Sequence, residues 1–344
     1  MMSNTEYATN ENLHEPPSQQ IIFLFMSAFA IAALFFSSLA YGIVPLNTAG
    51  VLDAFLAFDG SREHLIIIDT RLPRAVLAVI VGAALGAAGA IMQALARNPV
   101  AAPELLGVNH GAALFVAGGS FMLSAATAQQ FVLLAMAGAG VAAAFSYFIS
   151  LLGPNTTSST KLVLAGAAVT SICAALIQLI LILHDQTLDE MRFWLAGSLI
   201  GRDIAILGSV APTLVAGGLL SIVIGPKLNV FASGDITAQS LGLNILTVRI
   251  AAVSAVVLLA GSAVALAGPI AFIGLAAPHM VRHLAGADYR WIILLSASTG
   301  AALLLFADLA ARFVVPGQEI PVGIMTALIG IPFFLAQVRK GTLS

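Results

Sequence analysis

The sequence predicts an all-α membrane protein of about ten transmembrane helices, and three observations carry that reading. Of the 344 residues, 60% are apolar and only 9% charged, against roughly a quarter charged in an ordinary soluble domain, so the chain lacks the polar groups to cover a solvated surface. The apolar residues are collected in charge-free stretches, and a helix needs about 20 of them at ~1.5 Å rise each to cross a bilayer. The 31 glycines and abundant alanine suit helices that approach one another closely in lipid, whereas the alternating strands of an outer-membrane barrel are absent.

The elements follow in order. Residues 1–20 are polar, with Glu6, Glu11, Glu15, Pro16 and Pro17, and are expected to form a disordered cytoplasmic tail before a membrane domain over 21–340. The tail holds no Lys or Arg, so the apolar stretch Ile21–Tyr41 is expected to be a retained first span rather than a cleaved signal peptide. A polar connector leads to spans at Ala75–Leu95, Leu105–Ser124, Phe131–Leu152, Leu162–His184, Ile204–Ile224 and Ile250–Leu266. The 56 residues from Leu105 to Thr160 carry no formal charge, enough for two crossings with a polar turn at Ser124–Gln130. Gly268-Pro269 interrupts an apolar run and is read as a break between two helices, which makes a short eighth span near Ile273–Leu284. Trp291–Phe313 and Pro321–Val338 complete ten.

An even number of spans puts both termini on one side. With both in the cytoplasm, eight basic residues face inward (Arg97, Lys161, Lys227, Arg249, Arg282, Arg290, Arg339, Lys340) and six outward (Arg62, Arg71, Arg74, Arg192, Arg202, Arg312), the sense the positive-inside rule requires.

Composition and motifs exclude several classes of function. Fourteen basic against sixteen acidic residues leave a net charge of −2, with no basic face for nucleic acid. The single cysteine, Cys173, rules out an internal disulfide framework or a thiolate metal cluster. Hydrolysis of ATP by the chain itself needs a phosphate-cradling loop ending in Gly-Lys-Ser/Thr, but Lys161, Lys227 and Lys340 follow Thr160, Pro226 and Arg339. Ion-coupled transport needs titratable groups within spans, and the acids fall at predicted span ends or in loops. His279 and His283 share a helical face but lack a third ligand nearby, so they read as interfacial histidines rather than a metal site. A passive helical conduit, energised from elsewhere, is what remains.

Gly82 and Gly86, in the run Val81–Gln93, form a small-xxx-small pattern that lets one helix approach its neighbours closely. Two prolines in the following Ala96–Val108 segment prevent immediate helical continuation. Between the sixth and seventh spans, Asn229–Leu243 is too polar to cross; Gly234, Asp235 and Gly242 can cap or turn, while Ile236, Leu241 and Leu243 offer apolar contacts. A short amphipathic helix pair along the membrane surface is expected there.

These residues resemble the FecCD-type permeases, membrane subunits of ABC importers for iron–siderophore complexes, haem and cobalamin. The resemblance runs from about Arg71 to Arg339. It rests on Arg71-Leu-Pro-Arg74, Gln93 with Arg97-Asn98-Pro99, Leu106-Gly107-Val108, Leu164-Ala165-Gly166, Phe193-Trp194-Leu195-Ala196-Gly197-Ser198, Leu241-Gly242-Leu243, Gly268-Pro269-Ile270-Ala271-Phe272-Ile273-Gly274-Leu275, Pro278-His279-Met280-Val281-Arg282, Ala307-Asp308 and Glu319-Ile320-Pro321-Val322-Gly323-Ile324, in that order.

The resemblance implies the type II ABC importer permease fold and a multi-pass location in the bacterial inner membrane. Its partners would be a second permease subunit, identical or homologous, two cytoplasmic subunits that bind ATP and Mg, and an extracytoplasmic substrate-binding protein. The chain itself would hold no cofactor or metal and have no catalytic residue. By motif position, Arg71, Arg74 and Arg312 would be external arginines pairing with carboxylates of the binding protein; the competing reading is that they anchor helix ends, Asp308 and Arg312 pairing at i and i+4. Asn98, Val100, Ser159 and Thr160 would form the cytoplasmic gate, Val100 standing where leucine is usual. Ser233, Gly234, Asp235, Ala238, Leu241 and Gly242 would contact the ATPase. The Phe193–Ser198 motif resembles the siderophore branch, which makes ferric siderophores the expected cargo, carried inward by alternating access. Cobalamin or haem on the same machine, and ion-coupled secondary transport, are the alternatives.

Overall fold

The computed structural model describes residues 17–44, 46, 48–122, 127–152, 159–315 and 317–339, which form an all-α chain. Among the described residues, fourteen α-helices run in order as α1 (Pro17–Ala40), α2 (Thr48–Leu56), α3 (Arg62–Leu65), α4 (Leu72–Ala96), α5 (Val108–Met122), α6 (Ala128–Ser150), α7 (Ser159–Leu183), α8 (Asp185–Leu195), α9 (Ile206–Ala232), α10 (Asp235–Ser240), α11 (Ile245–Ala267), α12 (Ile273–Ala285), α13 (Tyr289–Ala311) and α14 (Val322–Arg339). Each of the ten predicted spans is a helix: α1, α4, α5, α6, α7, α9, α11, α12, α13 and α14. Seven of them are long and apolar enough to cross a membrane by length and composition alone.

Helix ends depart from the sequence-based bounds where a neighbour satisfies polar groups. α1 begins at Pro17, so residues 17–20 leave the predicted tail, whose other sixteen residues lie outside the described ones. The second span is not bounded at Ala75: α3, a π-helical stretch (Ile66–Arg71) and α4 form one continuous helical rod from Arg62 to Ala96. The charges that ended the apolar interval are absorbed by partners elsewhere in the chain. α9 likewise runs on through Pro226 to Ala232. The expected surface helix pair over Asn229–Leu243 is therefore corrected to one six-residue helix, α10, with Asn229–Ala232 forming the last turn of α9. Asn229 continues the helix because its amide has partners: Nδ2 donates to Asp288 at 2.9 Å and Oδ1 accepts the Tyr289 N–H at 2.7 Å. Thr127 caps α6 through a reciprocal box with Gln130.

α4 is the hub. In its apolar window 78% of residues are buried, against 72% in α11 and 11% in α1, and it packs on α13, α11, α12 and α9. Close approach rests on missing side chains: a Cβ on Gly82, Gly86 or Gly89 would overlap the carbonyl of Gly300, Ser296 or Gly274 respectively. The paired small residues of the sequence thus have a third member, Gly89, one helical turn on.

Two spans are short. α12 has 13 residues and α5 has 15, about 20 and 22 Å at ~1.5 Å per residue, less than the ~30 Å hydrocarbon core. Each is preceded by irregular chain held inside protein, the setting in which non-helical backbone is tolerated at membrane depth. Before α5, Pro103–Leu106 forms a 3₁₀ turn; a Cβ on Gly274 would lie 2.7 Å from Pro103 Cδ and 3.2 Å from the Leu85 carbonyl, so this turn reaches the middle of α4. Before α12, the expected break at Gly268-Pro269 is present. The Ala267 carbonyl it frees accepts the Ser198 N–H at 2.8 Å, and the Gly323 N–H donates to the Gly197 carbonyl at 2.9 Å. The end of α8 is thereby wedged between α11 and α14.

Candidate functional site

At the end of the bundle where α4 begins, Arg71, Arg74 and Arg312 do not stand free: each is engaged by groups of this chain, as the helix-anchoring reading has it. They are 5%, 4% and 4% exposed. Arg71 donates to the carbonyls of Leu39 (2.8 Å), Ala40 (2.7 Å) and Val44 (2.6 Å). Arg312 donates to those of Ser38 (2.7 Å) and Tyr41 (2.9 Å) and to Ser38 Oγ. Helix α1 has no basic residue in its last turn, and its orphan C-terminal carbonyls are capped instead by these two distant guanidiniums. Arg74 Nε donates to both oxygens of Asp308, at 2.7 and 2.9 Å, and its Nη1 pairs with Glu319. Asp308, fully buried, also takes Arg312 Nη2 at 2.7 Å. Burying charge in a bilayer requires such pairing, which is why arginines spaced for display in the sequence are consumed inside.

At the opposite end, Arg97 closes α4 in the left-handed region (φ 47°, ψ 41°). Asn98 follows, its Oδ1 accepting the Val100 N–H at 3.0 Å in a tight polar turn. Asn98 and Val100 are exposed. Ser159 and Thr160 open α7; Thr160 is exposed, and the Ser159 side chain lies outside what is described. The two segments share one end of the bundle, because the 3₁₀ turn packs on α7 and a Cβ on Gly166, two turns into α7, would overlap the Leu105 carbonyl. Beside them, Ser233 caps α9 and Gly234 (φ 107°) turns the chain into α10. Ala238 faces inward with no exposure, while Ile236 and Leu241 are 87% and 69% exposed. Gly242 (φ 79°) turns out of the helix, and the Leu243 N–H returns to the Ala238 carbonyl at 2.9 Å. Ile236 and Leu241 thus form an exposed apolar pair on, and just after, a six-residue helix bounded by two turning glycines.

Between the ends lies a wall with two hollows. One, about 470 Å³, is lined by Asn109, His110 and Ala113 of α5, Leu195 and Ala196, Pro269 and Ala271, and Gly323, Ile324 and Ala327 of α14. The other, about 490 Å³, lies among Trp194, Ser198, Arg202, Glu319 and their neighbours; burial pushes the pKa of the Arg202 guanidinium below its ordinary value. Both are mostly apolar and held in place by the wedge of α8.

The chain matches the FecCD transport family over residues 30–340. It belongs to that family. It is 41% identical to the "Probable siderophore transport system permease protein YfiZ" of Bacillus subtilis (strain 168), over 94% of this chain and 97% of that one. With the ferric enterobactin transport system permease protein FepD of Escherichia coli (strain K12), identity is 39% over 89% of this chain and 91% of that one. Among solved structures, a metal-chelate type ABC transporter in an inward-facing conformation superposes with a TM-score of 0.81 at 25% identity, covering 93% of this chain and 99% of that one.

Several features of this FecCD-family chain were not legible beforehand. Glu104, read as a loop acid, rides the turn that reaches the middle of α4, and His110 follows in the first turn of α5. Helix α8, capped by His184 and tied to α5 by Ser120 and Glu190, sits in what the apolar pattern marked only as a connector; its charges hid it. The bond between Arg97 and Asp235 spans 138 residues of sequence, and nothing local announces it.

Proposed function

We propose that the chain is the permease subunit of an ATP-driven importer that carries iron(III)–siderophore complexes into the cytoplasm by alternating access. The observation that carries this reading is family membership across residues 30–340, with relatives named for siderophore and ferric enterobactin transport at 41% and 39% identity. The geometry is consistent with it: the hollows are wide and largely apolar, suited to passing a large complex without gripping it, and selectivity then falls mainly to a soluble binding protein.

The partners follow from that reading. A second permease subunit would complete the pathway and two ATP-binding subunits would drive it, docking on α10 through Ile236 and Leu241 with Ser233, Gly234, Asp235, Ala238 and Gly242 shaping that surface. Asn98, Val100, Ser159 and Thr160 would close the inner end, with both termini in the cytoplasm. ATP and Mg would belong to the partner subunits. The test is reconstitution in vesicles with the ATPase and binding protein, measuring ATP-dependent accumulation of labelled ferric siderophore. Uptake of cobalamin or haemin in its place would overturn the cargo; uptake by the chain alone, driven only by an ion gradient, would overturn the mechanism.

A further inference from the structure

The end of the bundle at which α4 stops holds a charge cluster that ties together two segments assigned above to separate roles, the gate turn after α4 and the helix α10. Asp235, the first residue of α10, is shared by two arginines: Arg97 Nη2 donates to Oδ1 at 2.6 Å and Arg249 Nη2 to Oδ2 at 3.1 Å. Arg97 Nη2 also donates to the Phe231 carbonyl at 2.7 Å. Both guanidiniums lie over the fully buried Phe231 ring, 4.6 and 5.6 Å from its centroid, a stacking arrangement that favours Arg. Arg249 stands in the second turn of α11, so its bond holds α10 to a span. Arg97 stands on the other side, at the end of α4 and immediately before Asn98.

We propose that Arg97 is the positioning residue that carries displacement of the ATPase-contacting helix α10 to the cytoplasmic gate, through the carboxylate it shares with Arg249. The proposal rests on the permease reading. α10 can shift as a small body because turning glycines, Gly234 and Gly242, flank it, and its exposed Ile236 and Leu241 present the surface a partner would push. Asp235 moves with α10. Arg97 follows Asp235, and Arg97 is the hinge residue at which α4 ends; its left-handed backbone sets the direction in which Asn98 and Val100 leave the helix. Pulling the Arg97 side chain therefore acts on the gate segment with one peptide between them. The Phe231 contacts keep both guanidiniums stacked, so the carboxylate is held from two sides and its motion is transmitted rather than lost to side-chain rotation.

The assembled importer tests this. Gate movement is read from the rate at which a thiol reagent labels Asn98→Cys in a Cys173→Ala background, with and without a non-hydrolysable ATP analogue; coupling is read, without the reporter, as cargo accumulated per ATP hydrolysed. Arg97→Gln is expected to reduce both the nucleotide-dependent labelling change and the uptake per ATP by about 5- to 150-fold, the usual range of inter-site coupling. Arg97→Lys, which keeps the charge but not the fork, should fall between, and it decides the matter if the Gln variant fails to assemble. Adding Asp235→Asn to Arg97→Gln should cost less than the sum of the two single losses, since both break the Arg97–Asp235 contact and only the Asp235 change also weakens the Arg249 one. Native labelling response and native uptake per ATP in the Gln variant, or in the Lys variant where only that one assembles, would overturn the proposal, as would fully additive losses in the double variant. Absence of ATP-dependent uptake by the unaltered complex would instead overturn the permease reading beneath it.

Discussion

Replacing Asp308 by Ala should destabilise this protein, at the end of the bundle where α4 begins, more severely than any single arginine change there. Asp308 has no exposure and its two oxygens receive Arg74 Nε at 2.7 and 2.9 Å and Arg312 Nη2 at 2.7 Å. Without it, three buried guanidiniums, those of Arg71, Arg74 and Arg312, retain only Glu319 as a counter-charge, and Arg74 Nη2 and Arg312 Nε already lack a partner. Breaking a buried pair costs about 3–5 kcal/mol because a charge is left stranded. Counting one pair only, since Arg74 keeps Glu319, the folded-to-unfolded ratio should drop by roughly two to three and a half orders of magnitude. Asp308→Asn, which keeps an acceptor but no charge, should cost less, about 1.5–3 kcal/mol, and Glu319→Gln, at a side chain 26% exposed, about 1 kcal/mol or less. Equilibrium unfolding in mixed micelles, followed by fluorescence of Trp194 and Trp291, measures all three. A native-like transition for Asp308→Ala, together with lost binding-protein affinity in Arg74 or Arg312 variants, would refute the buried network and favour the docking role for these arginines.

Three further outcomes are expected. Gly89→Ala places a Cβ on the Gly274 carbonyl and should destabilise by about 1–3 kcal/mol or more as an overpacked contact, whereas Gly218→Ala, with nothing within 4 Å, should be neutral or stabilise by up to about 1 kcal/mol through helix propensity; thermal unfolding in detergent compares them. Burial raises the Asp288 carboxyl, but hydrogen bonds from Arg290 and Asn229 and the Arg290 charge outweigh it and hold its pKa at about 2 against an ordinary 3.8. Its contribution to stability is therefore complete above about pH 4 and lost as pH falls through 2, so the stability gap between the native chain and Asp288→Asn should stay constant from pH 7 to 5 and close below about 4; a gap that widens on acidification would contradict the assignment. Ile236→Glu, at 87% exposure, should leave unfolding unchanged while weakening co-purification of the ATPase subunits by about 2 kcal/mol, the scale of an interface anchor.

The sequence and the structure agree best where the bilayer imposes the rule. Ten apolar stretches became ten helices because lipid offers no alternative partner for backbone N–H and C=O groups, and that constraint is local enough to read one stretch at a time. Gly268-Pro269 was readable because a residue without an N–H beside one without a side chain weakens a helix, although the same pair at Gly225-Pro226 stands inside α9 without ending it. The stretches bounded by charge were misjudged. The second predicted span starts too late, after Arg71 and Arg74, and the sixth closes at Ile224, short of Asn229, because a polar residue marks the end of a helix only if water must solvate it; here Leu39, Ala40, Val44, Asp308 and Asp288 do so.

Composition and periodicity thus determined by themselves that this chain is a membrane-embedded helical bundle, and its motif order pointed to the family. Which charges are consumed inside the chain, how deep Glu104 lies, and that Arg97 meets Asp235 were decided by tertiary structure alone. Those facts depend on which helices become neighbours, and electrostatic pairing in a low-dielectric interior is a property of distance in space, to which separation along the chain is blind.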